Sequence, residues 1–346
     1  ETITKENGYD NNIGPGNVYR QESVIKQNIV PALSVWELEE TRERNQSGGT
    51  VRELLIRVEA IVAVNNGKHH ASVGNQLLGD VEKALIMGDM SLDELINEYY
   101  PAIENALIQT VANTNELGLE DLHSMMAYHL GWFGEGAGPA VTGKRIRPIL
   151  VLLTTQAAGG EWQNALPAAA AVELIHNFSL IHDDIEDNSL LRRGRPTLWT
   201  KWGVPLAINT GDAMFTLAHI SIMDVEKFTN KHITLKAVKT LQTTCLRLTQ
   251  GQHLDITYED QQELPVDSYW PMIQGKTAAL ISACTEIGAL IADVDKVKLD
   301  AYRRFGRDLG LVFQLVDDIL GIWGDSVKIG KSIASDLVAG KKSLPV

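Results

Sequence analysis

Four carboxylates at the end of a helical run and three guanidiniums just beyond them, in ELIHNFSLIHDDIEDNSLLRRGRPT at 173–197, have the types and spacing to do chemistry. An apolar run of Leu174, Ile175, Phe178, Leu180 and Ile181 leads into Asp183, Asp184, Glu186 and Asp187, and Arg192, Arg193 and Arg195 follow. On an α-helix, residues i and i+4 share a face, so Asp183 and Asp187 stand one turn apart on the same side. Like charges that close repel each other, and a cation between them removes the repulsion. Mg²⁺ takes oxygen ligands and is usually held by one or two carboxylates together with substrate phosphates. Arginine meets phosphate oxygens through two parallel N–H bonds. Carboxylates for a metal beside guanidiniums for phosphate describe a diphosphate site.

A second stretch repeats the arrangement. Leu309, Leu311, Val312, Phe313, Leu315 and Val316 run into Asp317 and Asp318, with Gln314 one turn before Asp318 and Lys328, Lys331, Lys341 and Lys342 beyond. One acidic pair at a helix end is an ordinary cap or solvated face. Two such pairs, on helices that face each other, make two acidic walls around a shared cavity. GKRIRP at 143–148 adds Lys144, Arg145 and Arg147 ahead of Pro148, a favoured first helical residue. A helix start draws anions, so these three cations form a second candidate phosphate site. Thr249, Gln250, Gln252 and Asp255 on one helix, and Lys276 with Thr277 at the head of a small-residue helix, are surface groups or partners of an anion.

The elements that must position these residues read as helices. Ser91 to Glu94 is a capping box, and Ile96, Tyr100, Ile103, Leu107 and Val111 follow at helical spacing, with Pro101 expected to kink or split the helix. Helical periodicity then continues nearly to the end, broken by short Gly, Pro or Asn turns, with no alternating strand run. This predicts an all-α bundle of long helices over 90–346. Residues 1–89 read as a small N-terminal extension of unknown role and partner, mostly helical or irregular. Within it, helical spacing is expected over 23–44 despite Pro31, NQSGG at 45–49 as a linker, a helix from Thr50 through Leu54, Leu55, Val58, Ile61 and Val62, and a short amphipathic helix over 74–89. His69 and His70 read as a solvent-facing pair.

The chain has 346 residues, 44% of them hydrophobic, and a net charge of −13. No broad basic face is available to neutralise a nucleic-acid backbone, which excludes that partner class. Cys245 and Cys284, far apart and without metal-ligand spacing, read as reduced structural thiols. No run of 18 apolar residues predicts a transmembrane helix, and the polar start has no apolar signal core. These features together predict a cytoplasmic protein.

GKRIRP, HNFSLIHDDIEDNSLLRRGRPT, GDAMF, GQHLD, GKTAAL and FQLVDDILG, in this order, resemble the trans-isoprenyl diphosphate synthases of the polyprenyl synthetase family, most of all the short-spacing geranylgeranyl diphosphate synthases. The resemblance covers about 90 to 346. It implies the isoprenoid synthase (class I terpenoid synthase) helical bundle with a central active-site cavity. It further implies Mg²⁺-dependent, head-to-tail condensation of isopentenyl diphosphate with an allylic diphosphate by a homodimeric trans-prenyltransferase, three Mg²⁺ to a site. Asp183 and Asp187 would be metal ligands in the first aspartate-rich motif with Asp184 supporting, and Asp317 a ligand in the second with Asp318 beside it. Arg192, Lys276 and Lys331 would hold the allylic diphosphate, with Thr277 and Gln314 lining that site. Lys144, Arg147, His176 and Arg193 would hold isopentenyl diphosphate. The family assigns the final proton to the departing diphosphate, so no protein base is named.

Phe178 precedes Asp183 by five residues, about 7.5 Å along a helix at roughly 1.5 Å per residue. An aromatic there in similar synthases limits the product, which implies a C20 product, with C15 next. Gly321 departs from the family pattern where a last Asp is usual, with Asp325 as a possible substitute, and Thr142 stands where Gly is common. The family pattern also runs on for several helices past Val346, and 1–89 is unlike the usual family N-terminus. Two other functions fit parts of the pattern. A class I terpene cyclase uses one diphosphate and has no need for Lys144, Arg147, His176 and Arg193. A non-catalytic or assembly subunit has no need for intact Asp183, Asp187, Arg192 and Asp317.

Overall fold

The computed structural model describes residues 32–44, 50–61, 92–112, 114, 117–259, 261 and 263–323. Ser91, the helix expected over 74–89, His69 and His70, Asp325, Lys328, Lys331, Lys341 and Lys342 lie outside the described residues. The chain divides into two units, Glu1–Gln76 and Leu77–Val346; the boundary expected at 89–90 lies outside the described residues.

In the first unit, β1 (Ala32–Arg44) pairs antiparallel with β2 (Thr50–Ile61), Ala32 opposite Ile61 and Arg44 opposite Thr50, with a register shift between Glu37 and Glu39. This corrects the helices expected over 23–44 and from Thr50. The apolar positions of 50–61 satisfy a helical period, but Ile56-Arg57-Val58-Glu59 also alternates and is β-branched at its apolar positions. A short apolar run does not separate the two periods. The NQSGG connection, five residues rich in turn formers, is of hairpin length and favours pairing.

The second unit is helical. It comprises α1 (Leu92–Ala112), α2 (Glu120–His129), α3 (Pro139–Thr142), α4 (Ile146–Ala157), α5 (Leu166–Glu186), α6 (Leu198–Trp202) and α7 (Val204–Met223). After these come α8 (Lys231–Glu259), α9 (Val266–Ile273), a π turn (Gln274–Ala278), α10 (Ala279–Ile291) and α11 (Lys296–Trp323). Between α5 and α6 lies a minimal hairpin, β3 (Leu191–Arg192) with β4 (Arg195–Pro196). Pro101 sits inside α1 without ending it.

α5 and α10 form the centre, and their sequences explain why. Ala168 to Ile175 is buried without interruption, as is all of α10 except Glu286. A helix apolar all round is a core helix. The alanines of α5 let neighbours approach closely, and α5 packs on α1, α4, α7 and α10. The main core gathers Tyr99, Ile103, Leu107, Met126, Leu152, Leu174, Ile175, Met214 and Ile222. A smaller cluster of Tyr269, Met272, Ile273, Ala278 and Leu311 joins α9 and the π turn to α11.

One buried ion network fixes the loop before α4. Arg145 adopts a left-handed backbone (φ 49°) and turns its side chain inward. Its Nε donates to Glu104 at 2.6 Å, Nη1 to Glu173 at 2.8 Å and Nη2 to the Leu130 carbonyl at 3.2 Å. Trp132 Nε1 also donates to Glu104, and Asn177 Nδ2 to Glu173. Arg145 therefore leaves the phosphate cluster suggested by GKRIRP and locks α1, the loop and α5 together. Arg145→Ala would strand two carboxylates in the interior. Urea unfolding should show a loss of roughly 3–5 kcal/mol, the usual range for breaking a buried ion pair from one side.

Candidate active site

A cavity of about 580 Å³ opens between α5, α8, the π turn and α11. Asp183, Glu186, Asp317, Arg192 and Lys276 line it, as do Arg147, His176 and Arg193, and Phe178, Leu180, Leu248, Ile256 and Phe313 supply apolar surface. Thr277 and Gln314 complete the set of expected residues that meet there. Asp184, Asp187, Asp318 and Lys144 do not line it.

Each carboxylate of the acidic walls has a distinct environment. Burial pushes the Asp183 carboxyl up to about 6; Asp187 and Glu186 act in the same direction, while Lys276 and Arg192 oppose them. Asp184 faces the other way, is buried, and accepts a charged bond from Arg192 Nε at 2.8 Å. Burial raises Asp184 to about 6 as well, against the pull of Arg192. The N–H of Asp187 donates to the Asp183 carbonyl at 2.8 Å and closes the end of α5. Asp318 is buried and accepts from the Tyr269 hydroxyl at 2.6 Å and from Gln314 Nε2 at 2.8 Å. Burial and then this carboxylate push the Tyr269 hydroxyl far above its usual range. Asp184 and Asp318 therefore anchor Arg192 and Gln314, while Asp183 and Asp317 face the cavity.

Among the described residues no three carboxylate, imidazole or thiol groups converge as a closed metal cage. Carboxylates instead reach the cavity from two helices, Asp183 and Glu186 from α5 and Asp317 from α11. That donor set, with a desolvated carboxyl at Asp183, fits Mg²⁺ completed by phosphate oxygens and water.

The cations beside the acidic walls are held by close backbone approach. Gly251 of α8 crosses Gly275 of the π turn, and a Cβ on Gly275 would stand 2.7 Å from the Gly251 Cα and the Arg247 carbonyl oxygen. A π turn inserts an extra residue into a helix and is frequent at functional sites. Here it brings Lys276 into an ion pair with Asp255. Thr277 Oγ1 donates to Gln314 Oε1 at 2.5 Å, tying the turn to α11. Gln252 Nε2 donates to Glu186 Oε2 at 2.7 Å, tying α8 to the end of α5.

The second basic corner comes from RRGR and GKRIRP. Arg193 (φ 51°) and Gly194 (φ 74°) are the two loop residues of the β3–β4 hairpin, the positive-φ pair that a tight two-residue turn requires. The turn sends Arg193 Nη1 to the Val141 carbonyl at 2.6 Å, and a Cβ on Gly143 would meet Arg193 Nη2 at 2.9 Å. Arg195 turns inward instead, bonds the Tyr128 and Phe133 carbonyls and lies 3.9 Å over the Tyr128 ring. Arg147 Nε is buried without a hydrogen-bond partner, a donor left for a ligand at the cavity wall. Lys144 is exposed outside the lining.

Some residues at the site were given no role from the sequence. Glu186 lies three residues after Asp183 and shares its helix face, a spacing that was available as a signal. Gln252 and Asp255 were read as surface or partner groups, and only their contacts decide. Phe178 lines the cavity, meets the His182 ring edge-on with centroids 4.8 Å apart and is backed by Phe215 of α7 at 4.9 Å.

The fold and cavity define a helical bundle whose cavity takes acidic groups from two helices, basic groups from several elements and apolar side chains beside them. The family profile described as polyprenyl synthetase matches residues 138–346. A geranylgeranyl diphosphate synthase of Mycobacterium tuberculosis is 44% identical over 229 residues, 66% of this chain and 65% of that protein. A (2E,6E)-farnesyl diphosphate synthase of Mycobacterium bovis is 42% identical over 227 residues, 65% of this chain and 62% of that protein. The crystal structure of a polyprenyl synthetase from Streptomyces coelicolor superposes with a TM-score of 0.67 at 36% identity, covering 74% of each chain. The chain belongs to the polyprenyl synthetase family. It spans somewhat less than two thirds of the length of these two mycobacterial relatives.

Two predictions follow from the geometry. Gly275→Ala should push the π turn off α8 at a cost of roughly 1–3 kcal/mol, measured by urea unfolding. The second concerns pH. Burial, with Arg192 and Arg193 near His129 and with Arg147 and Arg193 near His176, holds both imidazoles well below 6.5. The unfolded chain protonates them near 6.5 and the folded chain does not, so their contribution to stability is lost as pH falls below 6.5. Asp183 and Asp184, raised to about 6 from 3.8, act with the opposite sign between those values. Comparing wild type with His129→Gln isolates the imidazole part. In magnesium-free buffer, thermal midpoints from pH 7.5 to 5 should fall less steeply in the variant.

Proposed function

We propose that this protein is a trans-prenyltransferase that joins isopentenyl diphosphate head to tail to an allylic diphosphate, giving geranylgeranyl diphosphate (C20). One observation carries this reading. A single cavity holds two acidic walls, Asp183 and Asp317, next to Arg192 and Lys276, together with a separate basic corner of Arg147, Arg193 and His176. Two diphosphates use both halves, whereas a terpene cyclase would leave the basic corner idle.

Asp183, Asp187 and Asp317 are the residues to hold Mg²⁺, three ions to a site, with Glu186 added by its position. Bound there, the ions supply charge neutralisation for a leaving diphosphate. Arg192 and Lys276 grip the allylic diphosphate, and Lys331 is assigned to the same group. Asp184 orients Arg192, Asp255 orients Lys276, and Asp318 orients Gln314. Arg147, Arg193, His176 and Lys144 hold isopentenyl diphosphate, whose charge is met by cations alone. His176, kept neutral, serves as a hydrogen-bonding group there.

As the allylic C–O bond breaks, its electron pair leaves with the diphosphate. The isopentenyl double bond attacks the allylic cation, and the proton lost passes to the departing diphosphate. Phe178, Leu180, Leu248 and Phe313 exclude water that would quench the cation. Phe178, supported by Phe215, is the floor that stops chain growth. The relative named farnesyl diphosphate synthase, at nearly the same identity as the geranylgeranyl one, favours C15 as the second reading. We further propose a cytoplasmic homodimer; among the described residues no helix is long and apolar enough to cross a membrane.

Incubation with Mg²⁺, isopentenyl diphosphate and an allylic diphosphate, followed by mass analysis, tests the reading. An elongated diphosphate supports it; a hydrocarbon from one substrate, or no turnover, counts against it. Asp183→Asn and Asp317→Asn should each lower turnover by roughly a hundredfold or more. Phe178→Ala should shift products to longer chains, and an unchanged chromatogram would remove Phe178 as the floor.

A further inference from the structure

The wall that carries Lys276 and Thr277 has a second side. A groove of about 1130 Å³ runs along it between α8, the π turn, α10 and α11. Thr249 and His253 line both spaces, while Gln274, Gly275 and Ala278 line the groove and Lys276 and Thr277 line the cavity. Arg247, Arg303, Arg304 and Arg307 also line the groove, and no carboxylate does. In a chain of net charge −13 this is an unusual concentration of guanidinium.

Arg303 turns Nη2 to Asp300, and Arg307 turns both Nε and Nη2 to Asp308, each a carboxylate of its own helix, which leaves the other guanidinium donors spare. Arg247 and Arg304 are exposed and have no ion-pair partner among the described residues. Glu286 lies within electrostatic reach of Arg247 and Arg303 but outside the lining. Converging guanidiniums with spare donors suit phosphate oxygens, which they meet in pairs. The space is of the order of a small-molecule site and is concave, which favours a compact polyanion over an extended acidic peptide.

We propose that this groove binds a phosphate-rich anion, a chain of two or more phosphates free or carried on a nucleoside, and that its occupancy is felt in the cavity. The link is the Gly251–Gly275 crossing. With no side chain between the two backbones, a displacement of the π turn has no slack to absorb it. Gln274 and Gly275 would move with the ligand, and Lys276 and Thr277, which follow them, would shift against Asp255 and Gln314. Two sites coupled this way change each other's affinity by the same factor.

Calorimetric titration of the full chain with inorganic tripolyphosphate in magnesium-free buffer tests the site, without requiring turnover. Arg247→Ala/Arg304→Ala, with an unchanged melting temperature as the folding control, should weaken binding at least tenfold. Arg192→Ala should leave it intact. Tighter binding of a nucleoside triphosphate than of tripolyphosphate assigns the nucleoside source, and equal binding the bare polyphosphate. The site is overturned if the double variant binds as well as wild type, if Arg192→Ala abolishes the binding, or if a polyglutamate peptide binds and tripolyphosphate does not. The coupling is read from the affinity for an allylic diphosphate. Saturating tripolyphosphate should change it at least threefold in wild type and leave it unchanged in the double variant. No change in wild type overturns the link.

Discussion

Taking carboxylates and guanidiniums out of water inside an apolar helical bundle costs several kcal/mol per ion unless each meets a partner. The arrangement around the cavity follows from which charges have one. Arg145 is neutralised by Glu104 and Glu173, Arg192 by Asp184, and Lys276 by Asp255. Each pair ties two different elements together, so satisfying the charges also sets the geometry of α1, α5, α8, the π turn and the RRGR hairpin. The groups the protein leaves short of a partner are different. Burial raises the Asp183 carboxyl, and Arg147 Nε has no acceptor. Both line the cavity.

Glycine performs the corresponding task for the backbone. Gly251 and Gly275 allow α8 and the π turn to touch, which is why a lysine at the head of a helix reaches an aspartate on its neighbour. Gly143 leaves space that the Arg193 guanidinium occupies. The motif glycines of GKRIRP, GQHLD and GKTAAL therefore stand where a side chain would push a cavity-lining cation out of place. The same crossing that presents Lys276 to the cavity presents Gly275 to the arginine-lined groove behind it.

The all-α bundle and much of its site were legible because helical periodicity is local and long. Asp183, Arg192, Lys276, Asp317, Arg147, His176 and Arg193 do meet in one cavity, as the two acidic motifs and the basic motifs suggested. The N-terminal extension was not legible: 50–61 carries an apolar pattern compatible with either period, and pairing with 32–44 made it a strand. Within motifs, residue type did not sort roles. Arg145, Arg147, Arg193 and Arg195 look alike in sequence, yet Arg145 and Arg195 are structural ties and Arg147 and Arg193 line the cavity. The left-handed backbone at Arg145 and the hairpin turn at Arg193 make that distinction.

The sequence by itself determined the helices, the composition of the acidic and basic motifs and the family to which they point, because spacing along one helix decides which residues share a face. The tertiary structure alone decided which member of each pair faces the cavity. Asp183 lines it and Asp184 backs an arginine; Asp317 lines it and Asp318 is buried under Tyr269. Adjacent residues on a helix point about 100° apart, and which direction leads to the interior depends on neighbouring helices that arrive from elsewhere in the chain.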